Sequence, residues 1–308
     1  MRKRYFMAAL MVVFLMVVAA GNNLSAQMGG TGQYIEQVGQ SGAVNWTAGY
    51  IEAIGIGAPP ERFAGKPQAR PMAIRAAQVD AYRKLLEVTK GVRVDAETLV
   101  KDFTVESDII RTTVEGLIKG AQVIKTDYLS DGTVEVTLRM SLTGGFAQVI
   151  YPAVVERAPA QRPLSLAPTQ PSMAPSSPTF PAAPTAQAPS APQAVGVVTG
   201  LVIDARGLTA RPAMAPKVLD ENGQEVYGSM QVDREYAVQQ GMSGYARDLS
   251  AAQSNQRVTN NPLTVKGLKA DGPGKSNIVV SNPDAAKLRS ASDTQTFMRQ
   301  CRVMIVLD

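Results

Sequence analysis

Residues 122–142 read QVIKTDYLSDGTVEVTLRMSL, and this stretch decides the fold of the first half of the chain. Val123, Ile124 and Tyr128 alternate with polar residues on one arm, and Val134, Val136, Leu138 and Met140 do the same on the other. A period of two marks strands that bury one face. Between the arms, Ser130-Asp131-Gly132 supplies a short Asp-Gly connection whose glycine accepts the left-handed backbone of a tight turn. The stretch predicts a hairpin of Gln122 to Leu129 with Thr133 to Leu142.

Upstream, the pattern changes period. Within Pro71 to Lys90, Ile74, Ala77, Ala81, Leu85 and Val88 recur every three or four residues, while Arg75, Asp80, Arg83, Lys84 and Glu87 take other faces. That spacing predicts an amphipathic helix, with Pro71 suited to its first turn and Gly91 to its stop. A second helix is predicted over Glu106 to Ile118, carrying Ile110, Val114 and Leu117 on one side, with Gly120 beyond it. Before both helices, Ile51 and Ile54 to Ile56 predict a strand closed by Gly57 and Pro59-Pro60. The sum is a β-α-α-β-β module over residues 45–152, with helices on one face of an antiparallel sheet. The fold class expected is α+β.

Composition then shifts. From Arg157 to Ala194, ten prolines stand among Ala, Ser, Gln and Thr. Proline removes the backbone donor every few residues, and large apolar side chains are too few to offset the entropy of ordering. Residues 153–195 are therefore expected to be an extended Pro/Ala-rich linker between two independently folding units. Residues 196–308 read as a second, strand-rich α+β domain: strands at Val197 to Ala205, Lys217 to Leu219, Glu225 to Tyr227, Leu263 to Leu268, Ile278 to Val280 and Arg302 to Leu307. Helical patches are expected at Tyr245 to Ala252 and from Asn282, as N-cap, to Arg289.

At the other end, Arg2, Lys3 and Arg4 precede an apolar run from Tyr5 to Ala20, and Leu24-Ser25-Ala26 places small residues before Gln27. This is the layout of a secretory signal, predicting residues 1–26 as a cleaved leader and 27–44 as the mature N-terminal segment. An uncleaved anchor is the other reading of such a run. Three of the 31 basic side chains lie in the leader, leaving 28 against 26 acidic ones, scattered rather than clustered. No nucleic-acid partner is expected. The sole cysteine is Cys301, far from the leader, so the chain is expected to have no lipid anchor of its own. A buried place for Cys301 or an intermolecular pairing are both open, with the following apolar run Val303 to Leu307 arguing for burial.

Histidine is absent from the 308 residues, which removes the usual neutral-pH general base and the Ser-His-Asp and Cys-His arrangements. Gly272-Pro273-Gly274-Lys275-Ser276 resembles the tail of a phosphate loop, but Lys269 stands where the first glycine belongs. Gly55-Ile56-Gly57 lacks the third glycine of a dinucleotide fingerprint. Asp220-Glu221-Asn222 and Asp127 with Asp131 lack calcium-loop spacing and read as turn chemistry. Ser141 and Ser243-Gly244 have no base partner. The expectation is a non-enzymatic protein with no catalytic, cofactor-binding or metal-binding residues and no cofactor.

The segment Arg75-Ala76-Ala77-Gln78-Val79-Asp80-Ala81-Tyr82-Arg83-Lys84-Leu85-Leu86-Glu87, after Gly55-x-Gly57-x-x-Pro60 and before Gly91-Val92-Arg93-Val94 and Thr98-x-Val100-x-Asp102, resembles the Lpp-twenty type lipoprotein family. That group includes the flagellar disk protein FlgP, and the segment is also similar to the N-terminal module of the flagellar assembly protein FlgT. The resemblance covers about a hundred residues and implies a structural or assembly protein of a Gram-negative envelope, flagellum-associated, acting through self-association or partner binding in the periplasm or at the outer membrane. A binding module for peptidoglycan or a small ligand is the alternative. In the helix itself, Ala76, Ala77 and Ala81 are expected to bring it close to the sheet, and Asp80 with Arg83 or Lys84 to form ordinary surface pairs.

Overall fold

The structure is a computed structural model that describes residues 32–40, 42–63, 65–157, 198–290 and 292–308. The expected leader, residues 1–26, and the Pro-rich tract from residue 158 lie outside the described residues.

The chain is α+β. Strands β3 (Tyr50–Gly57) and β5 (Val134–Ser141) pair antiparallel along their whole length, from Tyr50 opposite Ser141 to Gly57 opposite Val134. β4 (Gln122–Tyr128) joins β5 from the far side as the predicted hairpin. Two short strands, β1 (Ile35–Val38) and β2 (Gly42–Asn45), complete a sheet of order β1-β2-β3-β5-β4. The sheet thus begins ahead of residue 45, inside the segment expected to precede the domain. β2 covers β3 only from Tyr50 to Ala53, so the second half of β3 has a free edge.

Along β5 the expected inward residues Val134, Val136, Leu138 and Met140 are buried. On β4 the expected alternation fails. A bulge between Val123 and Lys125 breaks the register, and Val123, Ile124 and Tyr128 are all exposed, because β4 is the last strand.

Helix α1 (Ala69–Lys90) lies over β3 with Ala77, Ala81, Leu85 and Val88 buried as the spacing predicted. Its stripe is completed by Ala73 rather than Ala76, which is exposed. Facing it are Ile51, Ala53, Gly55 and Gly57, while Ile56 points outward. A Cβ on Gly55 would sit 2.1 Å from the Ala77 carbonyl oxygen, and one on Gly57 would sit 2.2 Å from that of Ala73. Strand and helix backbones touch there, which only glycine permits.

The expected second helix is α3 (Asp108–Lys119), and an unforeseen short helix, α2 (Val100–Glu106), precedes it. Ser107 separates them in an extended conformation, its Oγ accepting from the Ile110 N–H as an N-cap. Helix α4 (Gly145–Arg157), with Pro152 inside it, was not foreseen; it buries Phe146, Ile150 and Tyr151.

The second half is built on a seven-stranded mixed sheet of order β8-β7-β11-β10-β6-β12-β9. Its strands are β6 (Gly200–Asp204), β7 (Val218–Leu219), β8 (Glu225–Tyr227), β9 (Gly244–Ala246), β10 (Pro262–Asp271), β11 (Asn277–Val280) and β12 (Val303–Val306). Parallel β12 and β6 sit side by side, Val303 opposite Leu201 to Val306 opposite Asp204, with residues buried on both faces. Such double burial is why both read as unbroken apolar runs. Leu201, Ile203 and Ile305 join the main core, and Val202, Met304 and Val306 form a smaller one with Ala252 and Val258.

Helices α5 (Arg234–Gln240), α6 (Leu249–Gln253), α7 (Asn282–Ser290) and α8 (Ser292–Arg299) fill the connections. The expected helix at Tyr245 to Ala252 is corrected: Tyr245 and Ala246 are strand, and helix starts at Leu249. Asn282 is already helical, and Ser281 caps it by accepting from the Asp284 N–H. Cys301 is buried in the turn ahead of β12 and does not open the strand.

Candidate functional site: the junction and its cleft

The two halves were expected to be independent units; in the structure they share one core and a dense set of backbone contacts. Residues 93–96, just after α1, do most of this. The Met214 N–H donates to the Arg93 carbonyl (3.1 Å), Ala215 to Val94 (2.7 Å) and Gly274 to Ala96 (2.6 Å). Gly272 and Gly274 therefore have a packing role: a Cβ on either would meet Ala96 at 2.7–2.8 Å. The stretch that resembled a phosphate loop is a close-fitting clasp, and its Lys275 reaches Thr209 instead of an anion (3.2 Å).

Beside the clasp, Arg93 is almost wholly buried, donating through Nε to the Pro212 carbonyl (2.9 Å) and through its terminal nitrogen to Glu36 Oε2 (2.6 Å). Glu36, on β1, also accepts from Trp46 Nε1 (2.9 Å) and from Arg211 (3.2 Å). One carboxylate thus gathers two cations and an indole across the junction. Removing it would leave Arg93 with its charge buried and uncompensated.

A cleft of about 270 Å³ opens at this junction, lined among others by Thr47, Tyr151, Met214, Tyr245 and Arg257. Tyr245 donates to the Ala213 carbonyl (2.7 Å) and accepts from the Ala213 N–H (3.0 Å), while Thr47 Oγ1 donates to the Tyr245 carbonyl (2.6 Å). Tyr151 of α4 donates to the Met214 carbonyl and accepts from the Met242 N–H, each at 3.2 Å. Burial pushes the Tyr245 phenol up to about 12, against the pull of Ser243 and Ala213, and raises that of Tyr151 as well. Both are neutral hydroxyls over the whole ordinary pH range.

Arg257 donates to the carbonyls of Gln240 and Gly241, at the end of α5, and of Cys301, after α8. Helix C-termini present unsatisfied carbonyls and partial negative charge, so a guanidinium fits there without a carboxylate. Burial lowers the Arg257 pKa and pushes the Cys301 thiol up to about 12. Cys301 is a free, protonated thiol at neutral pH, in the buried place its sequence context argued for.

Other residues singled out in the sequence are held by local structure. Asp220 accepts from the Asn222 and Gln224 N–H groups and pairs with Arg289, and Asp131 accepts from the Thr133 N–H. Ser141 bonds Thr143, and Asp127 pairs with Lys125 at 2.8 Å, away from Asp131. Among the described residues there is no group of three His, Cys, Asp or Glu able to hold a metal ion, and no helix long and apolar enough to cross a membrane.

One helix pair carries more than was expected of it. Asp80 binds Lys84 (2.8 Å) and Arg83 (2.6 Å), but its Oδ2 also accepts from the Ile56 N–H (3.0 Å), and Lys84 donates to the Ile54 carbonyl (3.1 Å). These two side chains thereby take the place of a strand along the part of β3 that β2 leaves uncovered. Burial works to raise the Asp80 carboxyl; bonds from Lys84 and Ile56 and the charges of Lys84 and Arg83 outweigh it, holding the group below its ordinary value.

The architecture defines a class: a small antiparallel sheet with a helix layer, clasped to a mixed-sheet domain through a polar junction. For the second half a likeness can be named. Residues 200–308 match the family model described as Treponema pallidum Tp0624, second domain. This match lends no support to the expected likeness to the Lpp-twenty type family. No curated protein matches the chain.

Proposed function

We propose that the protein is a non-enzymatic structural or assembly protein of the cell envelope, exported by its first 26 residues and associated with a flagellum. It acts through self-association or partner binding in the periplasm or at the outer membrane. The observation that carries this reading is how the junction uses its polar groups. Tyr151, Tyr245, Arg257 and Arg93 all bond to backbone across or beside the junction, stiffening it, where a reaction centre would turn such groups toward a substrate. The resemblance of residues 75–87 to the Lpp-twenty type family supports the envelope setting. Against a peptidoglycan-binding role stands Trp46, which is only 6% exposed and packs edge-on to Tyr245 instead of offering a glycan platform.

Cell fractionation with N-terminal sequencing, followed by crosslinking in intact cells, tests the proposal. Expected are a chain beginning at Gln27 in the envelope fraction and crosslinks to itself or to an envelope protein. A cytoplasmic chain, or an envelope chain that crosslinks to nothing, would overturn it. Pelleting with purified peptidoglycan would favour the alternative.

A further inference from the structure

Resting on the self-association reading, we infer that the free edge of β4 is a docking strand for a second copy of this chain, paired antiparallel about a two-fold axis through Thr126. β4 is an end strand of its sheet, and among the described residues β5 is the one strand it pairs with. It carries large apolar side chains with open surface, Val123 46% and Tyr128 51% exposed, the Tyr128 ring bearing Arg70 of α1 on one face at 3.8 Å. Exposed edges of this kind are templates for another strand, and natural proteins usually blunt them.

What commits the edge to its own copy is its pattern. A two-fold axis perpendicular to a sheet brings like faces together, so it must pass through a residue. Centred on Thr126, the register sets Lys125 opposite the second copy's Asp127 and Asp127 opposite its Lys125. Ile124 is the extra residue of the bulge and Val123 lies beyond it on the face of Thr126, so the regular opposed pairs are those of residues 125–127. Both charged pairs are complementary. Moving the axis by one residue places Lys125 opposite itself or Asp127 opposite itself, and like charges directly opposed are destabilising. Lys125 and Asp127 already pair within the strand at 2.8 Å, so two copies form a four-charge square of alternating sign. The bulge at Ile124 ends the regular ladder, confining it to the segment around Thr126. The contact joins two five-stranded sheets into one of ten strands.

The opposing account is that Lys125 is a guard that keeps the edge unpaired, and charge reversal separates the two. Residues 27–308 are purified and their association followed by sedimentation equilibrium at low salt, with thermal melts confirming that each variant folds. Lys125→Asp is expected to weaken association about tenfold or more, and Lys125→Asp combined with Asp127→Lys to restore it to within about threefold. Association strengthened by Lys125→Asp, or indifferent to both variants, overturns the edge contact; an oligomer that persists unchanged leaves the self-association reading standing. A chain monomeric at all concentrations overturns the edge contact, and it overturns the wider reading only if crosslinking also finds no partner. Independently of charge, Thr126→Cys is expected to form a disulfide-linked dimer on mild oxidation, since directly opposed residues lie about 4.5–5.5 Å apart, within disulfide reach. Gln122→Cys, whose copies would be far apart in this register, is expected not to. Equal crosslinking of the two would overturn the register.

Discussion

Among the described residues, the first sheet leaves β3 beyond Ala53 and the outer side of β4, as well as that of β1, without a neighbouring strand, and it treats the first two differently. Beyond Ala53, β3 is closed by Asp80 and Lys84, reaching down from α1 to the Ile56 N–H and the Ile54 carbonyl. Among the described residues the outer edge of β4 has no such cover: Val123 and Ile124 are exposed, and α1 reaches the strand with Arg70 over the ring of Tyr128. The distinction follows from where the helix can come close. Gly55 and Gly57 let α1 settle onto the backbone of β3, which puts its charged flank within reach of that edge. At β4, two strands away from β3 in the sheet, α1 makes contact through a side chain, Arg70 on Tyr128, and leaves the edge groups alone. One edge is sealed by the chain itself, and the other is available to a neighbour.

The comparison is broken most severely at the glycines. Gly55→Val should cost more than about 3 kcal/mol, because its side chain meets helix backbone that cannot yield as a side chain can. Chemical denaturation should show loss of the folded first half or a large fall in midpoint, with Val79→Ala on the exposed face of α1 as the near-neutral control. Next in size is Asp80→Ala, which leaves the Ile56 N–H and Lys84 without their carboxylate and should cost about 1–3 kcal/mol by denaturant titration.

The same carboxylate gives a pH test. Its folded pKa lies below the ordinary 3.8, so its contribution is fully present above that value and is lost as pH falls through the lower folded value. The stability gap between wild type and Asp80→Asn should hold steady from pH 7 to about pH 5 and shrink below pH 4. A gap that widens in acid would contradict the assignment. The smallest effect sharpens the contrast: Lys125→Asp, on the open edge, should change the stability of the monomer by less than about 0.5 kcal/mol while changing its association.

Much of this was legible. The hairpin and the apolar face of α1 could be read because periods of two and of three to four persist over many residues, long enough to outweigh local exceptions. β1 and β2 were not, being four residues each with polar Glu36, Gln37 and Asn45 among them; only their place against β3 makes them strands. β9 is three residues long and was absorbed into a helix whose real start is Leu249. α4 was obscured by Pro152, which reads as a breaker. The Asp80 and Lys84 pair was visible as an i, i+4 pair, but its bond to β3 depends on how far β2 extends. Of the cleft only Ser243 was singled out, and then set aside; Thr47, Tyr151, Tyr245 and Arg257 come from four distant parts of the chain and their roles are mostly bonds to backbone.

The clasp between residues 93–96 and the second half also sets a schedule. Gly274 is made about 180 residues after Ala96, an interval on the order of 10 to 40 s at roughly 5–20 residues per second. Throughout that time the Ala96 carbonyl lacks its partner, while those of Arg93 and Val94 wait about 120 residues for Met214 and Ala215, and the faces of Trp46 and Tyr151 wait for Tyr245 and Met214. The first half is thus complete in sequence long before it is complete in surface. A chain of this kind depends on being held soluble while its tail is finished, and on that tail arriving in the same compartment.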